Sequence, residues 1–143
     1  MTKTTNYQLN QWAKSDRILM DDFNADNQKL DAALAGLPKI AVGTYTGTGT
    51  YGYGKGVTIT FPFVPKLVLI TKENGETQGH RAILLHGCTS ATTNGYISYS
   101  IGGVAWNDSE KSVSFYGAGG ANSNAANAGM NAANAKYLWF AIG

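Results

Sequence analysis

Residues 21–36, DDFNADNQKLDAALAG, read as a helix, and that reading divides the chain into a stem and a β-rich head. Apolar residues fall at Phe23, Leu30, Ala33, Leu34 and Leu37, a spacing of threes, fours and sevens. Asp21 and Asp22 stand where free backbone N–H groups favour negative charge. Gly36 stands where helices commonly end, and Pro38 cannot continue one. Polar residues fill the remaining faces, so the apolar stripe is narrow. A short helix of this kind is not stable alone, because nucleation costs more than one segment returns. Two arrangements supply a partner. The helix folds back on its own sheet, or identical helices bundle, most simply three, with Phe23, Leu30 and Leu37 on a shared axis. The three-helix bundle is the expectation adopted.

The 143 residues suffice for one domain of roughly 100 residues plus an appendage. Charged residues make up 14%, against about 25% in a typical domain, and there are 18 glycines. The net charge is +2 and the basic residues are scattered singly, so no nucleic-acid role is expected. Cys88 is alone, which excludes a disulfide within one chain. Residues 1–15 lack the apolar core of a signal peptide, and no apolar run approaches roughly 20 residues. The expectation is therefore synthesis in a cytoplasm with no cleaved signal and no membrane insertion.

Residues 1–20 are polar, with isolated anchors at Tyr7, Leu9, Trp12, Ile18 and Leu19. They read as an extended lead-in, tied down by docking, and Tyr7, Leu9 and Trp12 suit an attachment contact. Alternatively, Trp12 covers the base of the helix.

From Ile40 onward only strands and turns are expected. Val57, Ile59 and Phe61 alternate with Thr58 and Thr60, and Pro62 ends the run. Residues 66–71, KLVLIT, are apolar on both parities, which suits a strand buried between two layers. Asn74-Gly75 and Asn94-Gly95 are hairpin turns. Ile97, Tyr99 and Ile101 share a face. Val113 and Phe115 point inward, with Ser112, Ser114 and Tyr116 outward. The last strand offers Leu138, Phe140 and Ile142 to one side. About seven short strands at this spacing indicate an antiparallel β-sandwich. Residues 117–135, rich in Asn and Ala, read either as a flexible surface loop or as a packed one. In the packed case Asn amides satisfy buried backbone groups and Met130 fills a gap.

Motifs that resemble chemistry fail on context. Gly47, Gly49 and Gly52 satisfy G-x-G-x-x-G, and Gly49 to Lys55 satisfy G-x-x-x-x-G-K. A phosphate loop must open a helix, whereas VTITF follows here. These glycines serve instead to let a strand bend. His80 and His86 would lie about 20 Å apart on one strand, too far for one metal ion. Glu73, Glu76, Asp108 and Glu110 form no acid–base pair by spacing, and no nucleophile motif appears. No catalysis, metal or cofactor is expected. What remains is a surface rich in Tyr, Trp, Asn, Ser and Gly, a composition suited to adaptable recognition. Tyr51, Tyr53, Tyr96, Trp106 and Tyr116 are the candidates for stacking on sugar rings. The competing reading of each is sheet packing, since aromatics favour strands.

Two sets of residues carry a resemblance. Trp12, Asp16 and Arg17, followed by Asp22, Phe23, Asn24, Asp26, Asn27, Lys29, Leu30, Asp31, Ala33 and Leu34, match W-x-x-x-D-R and D-F-N-x-D-N-x-K-[IL]-D-x-A-L. This segment resembles the N-terminal part of tail-fibre and minor tail proteins in phages and prophages of Gram-positive bacteria. The second half is similar to the C-terminal domains of such proteins at Gly43 to Gly49, Thr60 to Lys66, Val104 to Trp106, Val113 to Tyr116 and Tyr137 to Gly143. The chain departs from the pattern at Gly129 and Met130, where the family has Gln and Leu before Asn131. The resemblance implies a virion tail component, usually trimeric, whose distal β domain contacts the host surface.

Together these readings describe a mainly β protein. Residues 1–20 form an attachment segment, 21–37 an oligomerising helix as a short trimeric coiled coil or bundle, and 40–143 an antiparallel β-sandwich tip. The expected role is a non-catalytic receptor-binding protein at the virion tail tip. Its partners are two further copies, phage tail or baseplate proteins, and a host cell-surface glycan. Threefold repetition would multiply weak sugar binding through effective concentration. The competing role is a structural virion subunit that binds only other virion proteins. A wall-degrading enzyme would require two carboxylates within roughly 5–10 Å.

Overall fold

The stem stretch folds as α1, Met20–Ala35, in a computed structural model that describes residues 2–73, 81–93, 99–117 and 124–143, leaving aside the side chains of 99, 100, 124 and 125. The turns expected at Asn74-Gly75 and Asn94-Gly95, and Glu76, His80, Tyr96 and Ile97, lie outside the described residues. Leu19 occupies the N-cap and offers no side-chain cap, so Asp21 and Asp22 in the first turn are what favour the exposed N–H groups. Gly36 closes the helix by donating its N–H to the Ala32 carbonyl at 3.2 Å. No residue of α1 is buried. Phe23, Leu30 and Leu37 are 53, 41 and 57% exposed.

The lead-in is not simply extended. Strands β1 (Thr2–Lys3) and β2 (Asn10–Gln11) pair antiparallel, closed by the Thr4 N–H on the Leu9 carbonyl at 2.9 Å. This hairpin docks on α1 through polar bonds. The Asn10 N–H donates to Asp26 Oδ2 at 2.8 Å, and Lys29 Nζ donates to the Gln8 carbonyl at 2.7 Å and to Asp26 Oδ1 at 3.2 Å. Tyr7 is exposed, while Leu9 and Trp12 are half-buried. Met1–Pro38 and Lys39–Gly143 form two separate units.

The head contains β3 (Ile40–Thr46), β4 (Val57–Thr60), β5 (Leu67–Lys72), β6 (Arg81–Leu85), β7 (Ala91–Thr93), β8 (Tyr99–Asn107), β9 (Ser112–Gly117) and β10 (Lys136–Ile142). They build two four-stranded antiparallel sheets, in the orders β3-β10-β5-β6 and β4-β9-β8-β7. The helix α2 (Asn124–Ala128) corrects the expectation of strands and turns alone. The two sheets meet across one core. Val68, Ile70 and Leu84 face it from the first sheet, and Ile59, Val113 and Phe115 from the second. Tyr45 stacks on Tyr137 with centroids 4.9 Å apart and meets Phe115 edge-on at 6.5 Å. Burial holds the phenol of Tyr45, beside Tyr137, far above its ordinary pKa. Burial also raises Tyr137, though the Ala132 N–H on its hydroxyl opposes the shift. Both rings therefore stay neutral in the core.

The outward faces of the two sheets differ sharply. The first carries three rows across its four strands: Ile40–Ile142–Leu67–Leu85, Val42–Phe140–Leu69–Ile83 and Thr44–Leu138–Thr71–Arg81. Two rows are wholly apolar. The second sheet turns Thr58, Ser114, Ala105 and Tyr116 outward. KLVLIT is thus apolar on both parities, as expected, but only one of its faces is covered within the chain; Leu69 is exposed.

The ends of the head adjoin. The Lys39 N–H donates to the Gly143 carbonyl at 3.2 Å and the Gly143 N–H to the Lys39 carbonyl at 2.9 Å. The glycine-rich stretch after β3 is a loop with Gly49, Gly52 and Gly54 in the left-handed region, and it leads into strand β4.

Candidate functional site

The outward face of the second sheet holds a groove of about 430 Å³, walled by Tyr53, Gly54, Gly56, Thr58, Gly103, Ala105, Ser114 and Tyr116. Strand parity makes its floor. On β4 and β9, Val57, Ile59, Val113 and Phe115 take the core side, so Thr58 and Ser114 point out. They are directly paired in register, and their hydroxyls lie 2.8 Å apart. Beside them Tyr116 faces Gly103 across the β8–β9 pair. A Cβ at Gly103 would sit 2.4 Å from Tyr116 Cε1, so only glycine lets the ring lie flat on the neighbouring strand. A register shift between Ile101 and Gly103 accompanies this approach. Tyr53, from the glycine loop, stands edge-on to Tyr116 with centroids 5.9 Å apart, and is 88% exposed.

Among the described residues no charged side chain lines this groove. Its chemistry is an aromatic platform flanked by neutral hydroxyls that both donate and accept. That combination suits a flat, uncharged ligand with one apolar face and a polar rim, as a sugar ring presents.

Two of the five expected stacking residues, Tyr53 and Tyr116, meet here. Tyr51 belongs to the same loop, is partly exposed and does not line the groove. Trp106 lies on the opposite side of its sheet, in the inward row Ile59–Val113–Trp106. Its indole N–H donates to the Cys88 carbonyl at 3.0 Å and its ring lies 4.9 Å from His86. Trp106 therefore packs at the rim of the core, as the sheet-packing reading had it. Thr58 and Ser114 are not among the binding candidates that the sequence offers. Their outward parity was legible, but their pairing depends on register, which the sequence alone leaves open.

Two ion pairs lie away from this groove. His86 Nε2 meets Asp108 Oδ1 at 2.8 Å, and Lys136 Nζ meets Glu73 Oε1 at 3.3 Å. Among the described residues no group of three or more His, Cys, Asp or Glu gathers as a metal site would require. No described helix is long and apolar enough to cross a membrane.

The loop that frames one edge of the head is packed in its described part. Met130 is fully buried, and its carbonyl accepts the Tyr45 hydroxyl at 2.7 Å. Asn131, 2% exposed, accepts the Thr48 N–H on Oδ1 at 2.8 Å. Its Nδ2 donates to the Thr50 carbonyl at 2.9 Å and approaches the Thr48 and Thr50 hydroxyls at 3.0 and 3.1 Å. The Asn amide thus clamps the start of the loop from which Tyr53 projects. No protein-family model, curated protein or solved structure matches the chain.

Proposed function

We propose that this chain is a phage tail-fibre or receptor-binding protein, a non-catalytic adhesin that attaches a virion tail to host cell-surface carbohydrate. In this reading 1–20 attach to the tail or baseplate, 21–37 bring three copies together, and 40–143 form the sandwich tip. The groove of Tyr53 and Tyr116 above the Thr58–Ser114 hydroxyl pair is the observation that carries it. The exposed stripe of Phe23, Leu30 and Leu37 supports the oligomeric stem, since a helix with no buried residue needs a partner.

A glycan array probed with the intact protein tests the reading. Binding to at least one cell-wall glycan is expected, weakened tenfold or more in Tyr53→Ala and Tyr116→Ala, since losing one stacked ring costs about 1–3 kcal/mol. An intact protein that binds no glycan would sink the adhesin role. It would favour the second reading, a structural virion subunit, for which the aliphatic outer face of the first sheet speaks.

A further inference from the structure

We propose that the outward face of β3-β10-β5-β6 is the surface through which the heads of separate copies of this chain pack together. An antiparallel sheet with one solvated face normally alternates apolar inward with polar outward. The second sheet obeys that rule and the first does not. Ile40, Val42, Leu69, Ile83, Leu85 and Leu138 project outward and are 37–72% exposed. Val42, Leu69, Ile83 and Leu138, with Phe140 and Arg81, line a hollow of about 870 Å³ on that face. The apolar area they present is on the order of several hundred Å², at the upper end of what a monomer ordinarily shows and approaching the roughly 800 Å² per partner of a standard interface.

The occupant is another copy of the same chain. The two apolar rows carry no charge, and Arg81 stands alone at the end of the third. Apart from Arg81 at its end, such a face has nothing with which to steer or select a foreign protein electrostatically. It is compatible with itself, because apolar contact is non-directional. Edge strand β3 adds a second reason. It runs seven residues without a charge or a proline, and among the described residues it pairs on one side only, with β10. Natural sheets blunt or cover such edges. The stem independently calls for identical neighbours, so one closed set of copies covers both apolar surfaces. The inference rests on the reading above only in assuming that copies associate; it does not need the glycan.

The test is the mass of the full chain in solution, by light scattering or native mass spectrometry across a dilution series. The variants are Val42→Lys combined with Ile83→Lys, and separately Leu30→Asp. Both head positions are exposed within one copy, so the fold of a single head is expected to persist. Circular dichroism checks that it does. The wild type is expected to be oligomeric, and the head variant to associate only at tenfold higher concentration or more. A monomeric wild type overturns the proposal. So does a folded head variant that assembles like the wild type. If Leu30→Asp dissociates the protein while the head variant does not, the stem contact stands and the head contact falls. Should the head variant not fold, carbene footprinting of the wild type decides. Val42, Ile83 and Leu85 labelled less at high concentration than at low supports the proposal, and equal labelling overturns it. A monomer in which they are shielded at every dilution has another segment of its own chain on the face, which also overturns it.

Discussion

Asn131 shows how one side chain holds the loop that presents the candidate site. Its amide satisfies the Thr48 N–H and the Thr50 carbonyl from a position that water does not reach. Asn131→Ala removes both bonds and is expected to lower stability by about 1–3 kcal/mol, since each lost hydrogen bond contributes about 0.5–1.5 kcal/mol. Urea denaturation measures the loss directly. Asn131→Asp is expected to rescue little at neutral pH, because a carboxylate accepts from Thr48 but cannot donate to Thr50. The sequence does not separate Asn131 from Asn127 or Asn134, which sit in the same Asn- and Ala-rich run. Only the approach of the Thr48–Thr50 backbone singles it out. Trp106 is different, because its place was nearly legible. It pairs in register with Val113, already an inward residue by alternation, while Tyr116 three positions further along β9 points outward. Knowing the register would have assigned both.

Local patterning settled most of the elements, and the missing information was what lies on the far side of each. The alternation in VTIT and SVSFYG is enough for strands with one buried face, and the second sheet follows it, except that Ser112, expected to point outward, is buried at the start of β9. KLVLIT was equally readable as a strand apolar on both sides, but whether the second layer belonged to the same chain was not encoded locally. The β1–β2 hairpin was invisible because two-residue strands leave no period to detect. What fixes that hairpin is a polar contact with α1. Partial burial works against the charge on Asp26, but the Asn10 N–H and Lys29 outweigh it and hold the carboxyl below its ordinary value of 3.8. A carboxyl depressed in the folded state contributes its stabilisation above the ordinary value and loses it as pH falls through the depressed one. The hairpin is therefore expected to stay docked at neutral pH and to loosen below about pH 4. Hydrogen exchange at the Asn10 amide reports this, and Asp26→Asn should raise the exchange rate already at pH 7.

Two weak contacts between copies, one along the stem and one across the heads, would act together. Once the stems associate, the heads meet at a high effective concentration, so neither surface needs to be strong alone. If copies share the stem as proposed, Leu30→Asp would bring like charges together and is expected to raise the concentration needed for assembly at least tenfold. Joining it to Val42→Lys and Ile83→Lys should leave monomers throughout a dilution series, and sedimentation velocity distinguishes additive from cooperative loss. Under the proposed assembly the two outer faces of each head would have separate duties: the aliphatic one towards its own kind, the tyrosine groove towards the outside. The backbone bonds between Lys39 and Gly143 carry one more implication. A unit whose entrance and exit share a doorway can be spliced into a foreign surface loop, or lifted out, without dragging any strand from its sheet. Recombination would then trade such a unit between unrelated carriers as a sealed part.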